Sequence, residues 1–177
     1  MKTTKSATIN LTTIVILVGL FVLLTSAACG FSGITSKIGN NLDFQVTLTE
    51  DQINTMLSNA HDSSVDRDRD LLDKVAKVDL HDGLIRVYGT RTHQGQQVSG
   101  SYDVKLAAVD GELKAEIVGV DIPGMSLDDP RVQSTNEEVA KSLRQSAVEN
   151  RDHVTFDSVK VTNDNVQINL TVKLENK

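Results

Sequence analysis

The sequence predicts an α+β fold: a curved antiparallel β-sheet of six to seven strands with two helices packed on one face. Three observations carry this. Val166, Ile168, Leu170, Val172 and Leu174 alternate without a break with Asn165, Gln167, Asn169, Thr171 and Lys173, which is a strand with one dry and one wet face. Short alternating runs are separated by compact turn signals, most clearly Asp82-Gly83 and Asp110-Gly111. Two stretches carry apolar residues at helical spacing instead. The order reads β-α-β-β-β-β-α-β-β, with no parallel βαβ rhythm.

Phe44, Val46 and Leu48 alternate with Gln45, Thr47 and Thr49 in the first strand. Thr49 and Gln52 then form a capping-box pair, in which each residue's side chain reaches the other's backbone N–H. Ile53, Met56, Leu57 and Ala60 recur at i, i+3, i+4 and i+7, so the first helix runs from about Glu50 to Ala60. His61 to Asp73 is a polar stretch. Its Asp66, Asp68 and Asp70 resemble the start of a calcium loop, but Leu71 and Lys77 stand where an EF-hand needs glycine and glutamate. It reads as a solvated loop.

Val78 and Leu80, then Ile85 and Val87, flank the His81-Asp82-Gly83 turn. His93-Gln94-Gly95-Gln96 turns the chain again into a long strand with Val98, Tyr102, Val104, Leu106 and Ala108 on one face. After Asp110-Gly111, Leu113, Ala115 and Ile117 keep one parity and Val118, Val120 and Ile122 the other, the mark of a β-bulge or of burial on both faces. Asp128-Asp129-Pro130 precedes the second helix, for which Ser134 and Glu137 offer a capping box. Val139, Ala140, Leu143 and Ala147 share a face of that helix, which runs to about Asn150. The last hairpin changes parity between Phe156 and Val159, and Asn163-Asp164-Asn165 turns it into the final strand.

Composition excludes several functions. The chain has 177 residues and a net charge of −6, without the basic footprint of a nucleic-acid binder. Aromatic residues are 3%, too few for a stacking platform. A single cysteine permits neither an internal disulfide nor a thiolate zinc cluster. His61, His81, His93 and His153 are dispersed among loops and turns, and no nucleophile elbow, metalloprotease helix or phosphate loop occurs. The reading is therefore non-enzymatic, with no metal and no cofactor.

The amino terminus supplies an address. Lys2 and Lys5 lie in a polar start, Ile14 to Leu24 is an unbroken apolar run, and Thr25-Ser26-Ala27-Ala28 leads to Cys29. The run falls short of the roughly 20 apolar residues of a membrane span and fits a secretory signal. Ala27-Ala28-Cys29 resembles the lipobox of bacterial lipoproteins, although Ser26 stands where leucine is commonest. That resemblance implies cleavage after Ala28, a signal peptide over 1–28, and a diacylglyceryl anchor with palmitate-type chains on Cys29. The membrane is then a partner through Cys29, and the protein faces outside the cytoplasm on the cell membrane or outer membrane. Residues 29–42, rich in glycine, serine and asparagine, read as a flexible tether, and 43–177 as one α+β domain.

Small residues suggest a slot inside that domain. Ala140 and Ala147 on the second helix face strands carrying Ala108, Ala115 and Gly119. Such residues either leave room for an apolar ligand or let helix and sheet close up entirely. The entry Val46-Thr47-Leu48-Thr49-Glu50-Asp51-Gln52-Ile53-Asn54, the meander of Asp-Gly hairpins and the helix before a final alternating hairpin resemble the bacterial relatives of the tubular lipid-binding (TULIP, BPI-like) superfamily. The resemblance covers Phe44 to Leu174 and implies an acyl chain held between helix and curved sheet. By position, Ile53, Met56, Leu57, Val139, Leu143 and Ala147 would line that groove. Two functions follow: a lipoprotein that binds or carries a lipid or other apolar ligand, or a structural or protein-interaction lipoprotein with a closed core and no ligand.

Overall fold

A computed structural model describes residues 31–38, 41–59, 70–150 and 154–173. The expected signal peptide 1–28 and Cys29 lie outside the described residues, as do 60–69 of the polar loop and His153. Among the described residues there are two helices and eight strands, so the α+β class and the antiparallel strands stand. The strands are β1 (Phe31–Ile38), β2 (Asn41–Thr49), β3 (Lys74–His81), β4 (Leu84–His93), β5 (Gln96–Val109), β6 (Glu112–Asp121), β7 (Val154–Val161) and β8 (Asn165–Lys173). The helices are α1 (Glu50–Asn59), between β2 and β3, and α2 (Pro130–Asn150), between β6 and β7.

The expected single sheet is two sheets of four. One has the order β1-β2-β8-β7, the other β3-β4-β5-β6, and all neighbours are antiparallel. The second sheet is a meander of local hairpins. The first joins the start and end of the domain, with β2 and β8 in unbroken register from Asn41↔Lys173 to Thr49↔Asn165. Alternation dictates which face of a strand is buried and is silent about its partner, so this division is not legible in the pattern.

Each meander turn uses two residues in the left-handed region: Asp82 and Gly83, Gln94 and Gly95, Asp110 and Gly111. Two such residues twist a hairpin in the sense its strands already have, and glycine bears the second position without a Cβ penalty. The parity changes are bulges. The β5–β6 register slips between Asp103↔Gly119 and Val104↔Ile117, and β7–β8 slips between Phe156 and Ser158. Each bends its strand over the core.

The capping box of α1 forms as expected, Thr49 N–H donating to Gln52 Oε1 at 2.9 Å and Gln52 N–H to Thr49 Oγ1 at 3.3 Å. The start of α2 differs: it begins at Pro130, a turn before the expected Ser134–Glu137 box. Asp129 is its N-cap, accepting from Arg131 N–H at 3.0 Å, and proline suits the first helical position because its missing N–H is not needed there. The expected tether also differs. Residues Phe31–Ile38 form β1 against β2, with two register shifts. Without β1, β2 would be an open edge, and backbone pairing there needs no regular side-chain pattern.

The helices stand at opposite edges of the second sheet and contribute to one core. Asn54 of α1 pairs with Val78 of edge strand β3 like a neighbouring peptide, donating to its carbonyl at 2.9 Å and accepting from its N–H at 2.6 Å. Asn136 of α2 accepts from Ile117 N–H of the opposite edge strand, β6, at 2.9 Å. Leu80 N–H of β3 donates to Oε2 of Glu50, the first residue of α1, at 3.0 Å, and the two sheets are joined where Phe156 N–H of β7 donates to the carbonyl of Gly111, in the β5–β6 turn, at 2.9 Å. Leu48 of β2, Val78 of β3, Val87 of β4, Val132 of α2, and Val166 and Ile168 of β8 form the driest part of the single core.

Candidate functional site: a cleft between the second helix and the meander sheet

The stripe of α2 that faces the protein is Val132, Thr135, Asn136 and Val139, at helical spacing, followed by Ala140 and Leu143. Opposite lie the inward residues of three strands: Ile85 and Val87 of β4, Tyr102, Val104 and Leu106 of β5, and Leu113, Ala115 and Ile117 of β6. Two spaces separate the surfaces. The deeper is a crevice of about 30 Å³, walled by Ile85, Val87, Tyr102, Leu106, Ile117 and Val139 among others. Its walls are almost wholly apolar, and it holds about one water's share of volume. The outer is a groove of about 530 Å³ between α2 and β6. That lies within the about 300–1,000 Å³ usual for small-molecule sites.

Ala115, Glu116 and Asn136 line both spaces, so they adjoin. The groove is lined by the apolar Leu113, Ala115, Ala140 and Leu143, and its polar rim is Gln133 and Glu137 of α2. Lys114 and Glu116 border it from β6, where they alternate with Leu113 and Ala115 and direct their side chains to the opposite face of the strand. Such an arrangement accepts an amphiphile, with its apolar part toward the crevice and its polar part at the rim. Among the described residues no group of three metal-ligating side chains converges.

The N-terminal end of α2 is pinned. Arg131 Nε and Nη2 donate to the two Asp129 carboxylate oxygens at 2.8 and 2.6 Å. This guanidinium holds the Asp129 carboxyl down from 3.8 to about 2. Nearby, buried Arg91 of β4 donates through Nη1 to the carbonyls of Asp70 at 2.9 Å and Leu71 at 3.1 Å, and burial pushes its pKa down. On the far face of the sheet, Arg86 pairs with Asp103 at 2.7 Å and holds that carboxyl down too.

A pH dependence follows from Asp129. Its folded pKa lies below the unfolded value, so the stabilisation is complete above about pH 4 and disappears as pH falls through about 2. The Asp129→Asn variant keeps an N-cap but loses the charge. Urea midpoints measured from neutral pH to about pH 2 should show it less stable by on the order of 1–2 kcal/mol at pH 7, with the gap closing in acid. A gap that persists unchanged at pH 2 would refute the assignment.

Of the expected groove residues, Val139 lines the crevice and Leu143 the groove. Ala115 and Ala140, noted for their size, line the groove as well. Ile53, Met56 and Leu57 line neither space: Ile53 is buried in the core, and Met56 and Leu57 pack against it. The reason is the position of α1, beside β2 and β3, whereas α2 lies along β6. The side chain of Ala147 lies outside the described residues. Sequence reasoning passed over Asn136 and the polar rim. The signal for Asn136 was an amide on the apolar stripe of a helix, four residues after Val132 and three before Val139.

No curated protein and no solved structure matches the chain. A family model does, over residues 26–171, and its description is LmeA-like phospholipid-binding. The match takes in both sheets, both helices and the cleft, and the domain is a lipid-binding one: the chain belongs to the LmeA-like phospholipid-binding family.

Proposed function

We propose that this chain is an extracytoplasmic lipoprotein, anchored through acylated Cys29, whose domain takes a phospholipid into the cleft between α2 and β6 and carries it without chemical change. The observation that bears most weight is the adjoining pair of spaces, an apolar crevice opening beside a groove with a polar rim, in a member of a phospholipid-binding family. The crevice of about 30 Å³ takes an acyl chain only once α2 shifts outward, while the groove of about 530 Å³ needs no such movement. The basic start, apolar run and Ala27-Ala28-Cys29 support the anchor and the location. Two or more acyl chains hold a protein on a membrane where one does so marginally.

Organic extraction of the purified protein followed by mass spectrometry tests the ligand. Phospholipid in about equimolar amount, beyond the covalent anchor, supports the carrier reading. An empty, folded protein that also takes no phospholipid from vesicles overturns it in favour of a closed-core interaction protein. The anchor has its own test. Cys29→Ser should shift the protein from the detergent phase to the aqueous phase on phase partitioning and abolish labelling by a palmitate analogue. Unchanged partitioning and labelling would refute lipidation at Cys29.

A further inference from the structure

We infer that Asn136 is the polar contact of the bound lipid: its Nδ2 donates to an ester carbonyl where acyl chain meets glycerol, so the domain prefers an ester-linked phospholipid to its ether-linked analogue. The inference rests on the lipid-binding reading above and names the residue that recognises the ligand's linkage. Asn136 is half-buried on the inward stripe of α2, between Val132 and Val139. It lines both the apolar crevice and the outer groove, so it stands where the two spaces adjoin. Ala115 lines both as well but has no polar side chain, and Glu116 directs its carboxylate to the opposite face of β6.

The two asparagines that fasten the helices to the meander differ in how much of the amide they use. Asn54 pairs with Val78 through both its oxygen and its nitrogen. Asn136 spends only its oxygen, which accepts from Ile117 N–H at 2.9 Å, and among the described residues no group accepts from its Nδ2. Because only the oxygen can accept from an N–H, this bond also fixes which way the amide is turned. Two N–H donors are therefore held, unspent, on a helix anchored to the edge of a sheet. Gln133, the other amide along the groove, is already engaged: its Nε2 donates to the Leu127 carbonyl at 3.0 Å.

A neutral donor beside apolar walls suits one part of a phospholipid. With an acyl chain along Ala140 and Leu143 of α2 and Leu113 and Ala115 of β6, the carbonyls mark the border between the apolar part and the polar part. Asn136 lies one helical turn before Ala140, at the crevice side of that border. An ester carbonyl only accepts hydrogen bonds, which matches an amide whose remaining capacity is donation. Glu137 at the rim offers a carboxylate, which accepts and repels phosphate, so it does not compete for this role. An ether lipid replaces the carbonyl by a methylene group, and the Asn136 donors are then left without that partner, which is how a hydrogen-bonding site rejects an analogue that lacks the bonding group.

The test uses the purified full chain and donor vesicles holding equal amounts of a diacyl phosphatidylcholine and the dialkyl ether phosphatidylcholine of the same chain lengths, with bound lipid read by mass spectrometry. The expected result is about threefold to tenfold more ester lipid than ether lipid, the worth of one neutral hydrogen bond. Asn136→Asp keeps an oxygen for Ile117 N–H but, ionised, has no donor, so the ratio should fall to about one while the thermal midpoint stays close to that of the original chain. Asn136→Ala removes the donor without adding a charge. It should bring the ratio to about one as well, and it should lower the thermal midpoint because Ile117 N–H loses its acceptor. A purely structural Asn136 would lower the midpoint and leave the ratio alone. Equal uptake of the two lipids by the original chain, or a ratio unchanged in the variants, including one in which both lipids bind less in proportion, would overturn the Asn136 assignment alone. Uptake of neither lipid by the original chain would overturn it together with the lipid-binding reading.

Discussion

Replacing Ala140 by phenylalanine should lower the phospholipid bound by the purified chain by about tenfold or more, equivalent to at least about 1.4 kcal/mol of binding. Ala140 sits on α2 at the floor of the groove, beside Leu143 and across from Leu113 and Ala115 of β6. It does not line the deeper crevice. A phenyl ring there occupies the space where an acyl chain would run, on the side open to solvent, without being forced into close-packed core. The thermal midpoint should therefore change little. Val139→Phe is the contrasting substitution, because Val139 is buried against the crevice and a larger ring there overpacks at a cost of about 1–3 kcal/mol. Full lipid content in the Ala140→Phe protein would exclude the α2–β6 groove as the binding place.

The second large effect is on stability. Ile168→Ala should destabilise the domain by about 2–5 kcal/mol, the range for removing an aliphatic side chain from a core that cannot collapse around the loss. Ile168 is 1% exposed, in the middle of β8. It is paired with Val46 on β2 and Val159 on β7, so strands from both ends of the chain meet at this side chain. For a chain of this size each kcal/mol lowers the melting temperature by about 2–4 °C. Gln167→Ala, on the opposite face of the same strand, should stay within about 0.5 kcal/mol. Thermal and urea unfolding of the two variants side by side checks the pair. Equal losses would mean that β8 is not buried on one face only.

Much of the local structure was legible in the sequence because its causes are local. Asp-Gly at two turns encodes left-handed backbone at the site itself, and the hairpins form there. The Thr49–Gln52 box caps the helix that follows it. A parity change within an alternating run is a bulge in two strands, β6 and β7, since an extra residue is the cheapest way to keep both halves facing the core. Where two local signals competed, the weaker one was easy to favour: Asp129-Pro130 and Ser134-x-x-Glu137 both mark helix starts, and the first wins because the helix can continue unbroken through Ser134.

The cleft was half legible. Small residues at Ala115 and Ala140 and the helical stripe through Val139 and Leu143 border the two spaces between α2 and the meander. The opposite wall could not be assigned from the pattern. Periodicity gives an apolar face to α1 and to α2 alike, and nothing in Ile53, Met56 and Leu57 distinguishes a residue facing a cleft from one facing solid core.

By itself, then, the sequence determined the class of fold, the faces of its strands, the places of its turns and bulges, and the material from which the α2 wall is made. All of these depend on interactions within a few residues, or on the alternation of polar and apolar side chains. Tertiary structure alone decided that the strands divide into two sheets, that β2 lies against β8 across the length of the domain, and that residues 31–38 add a strand to that sheet. It also decided that Asn54 and Asn136 fasten the helices to opposite edges of the meander, so that only α2 borders the cleft. Backbone pairing and edge capping are blind to side-chain pattern: any strand offers the same N–H and C=O groups, and which partner reaches them is settled by how the whole chain closes over its core.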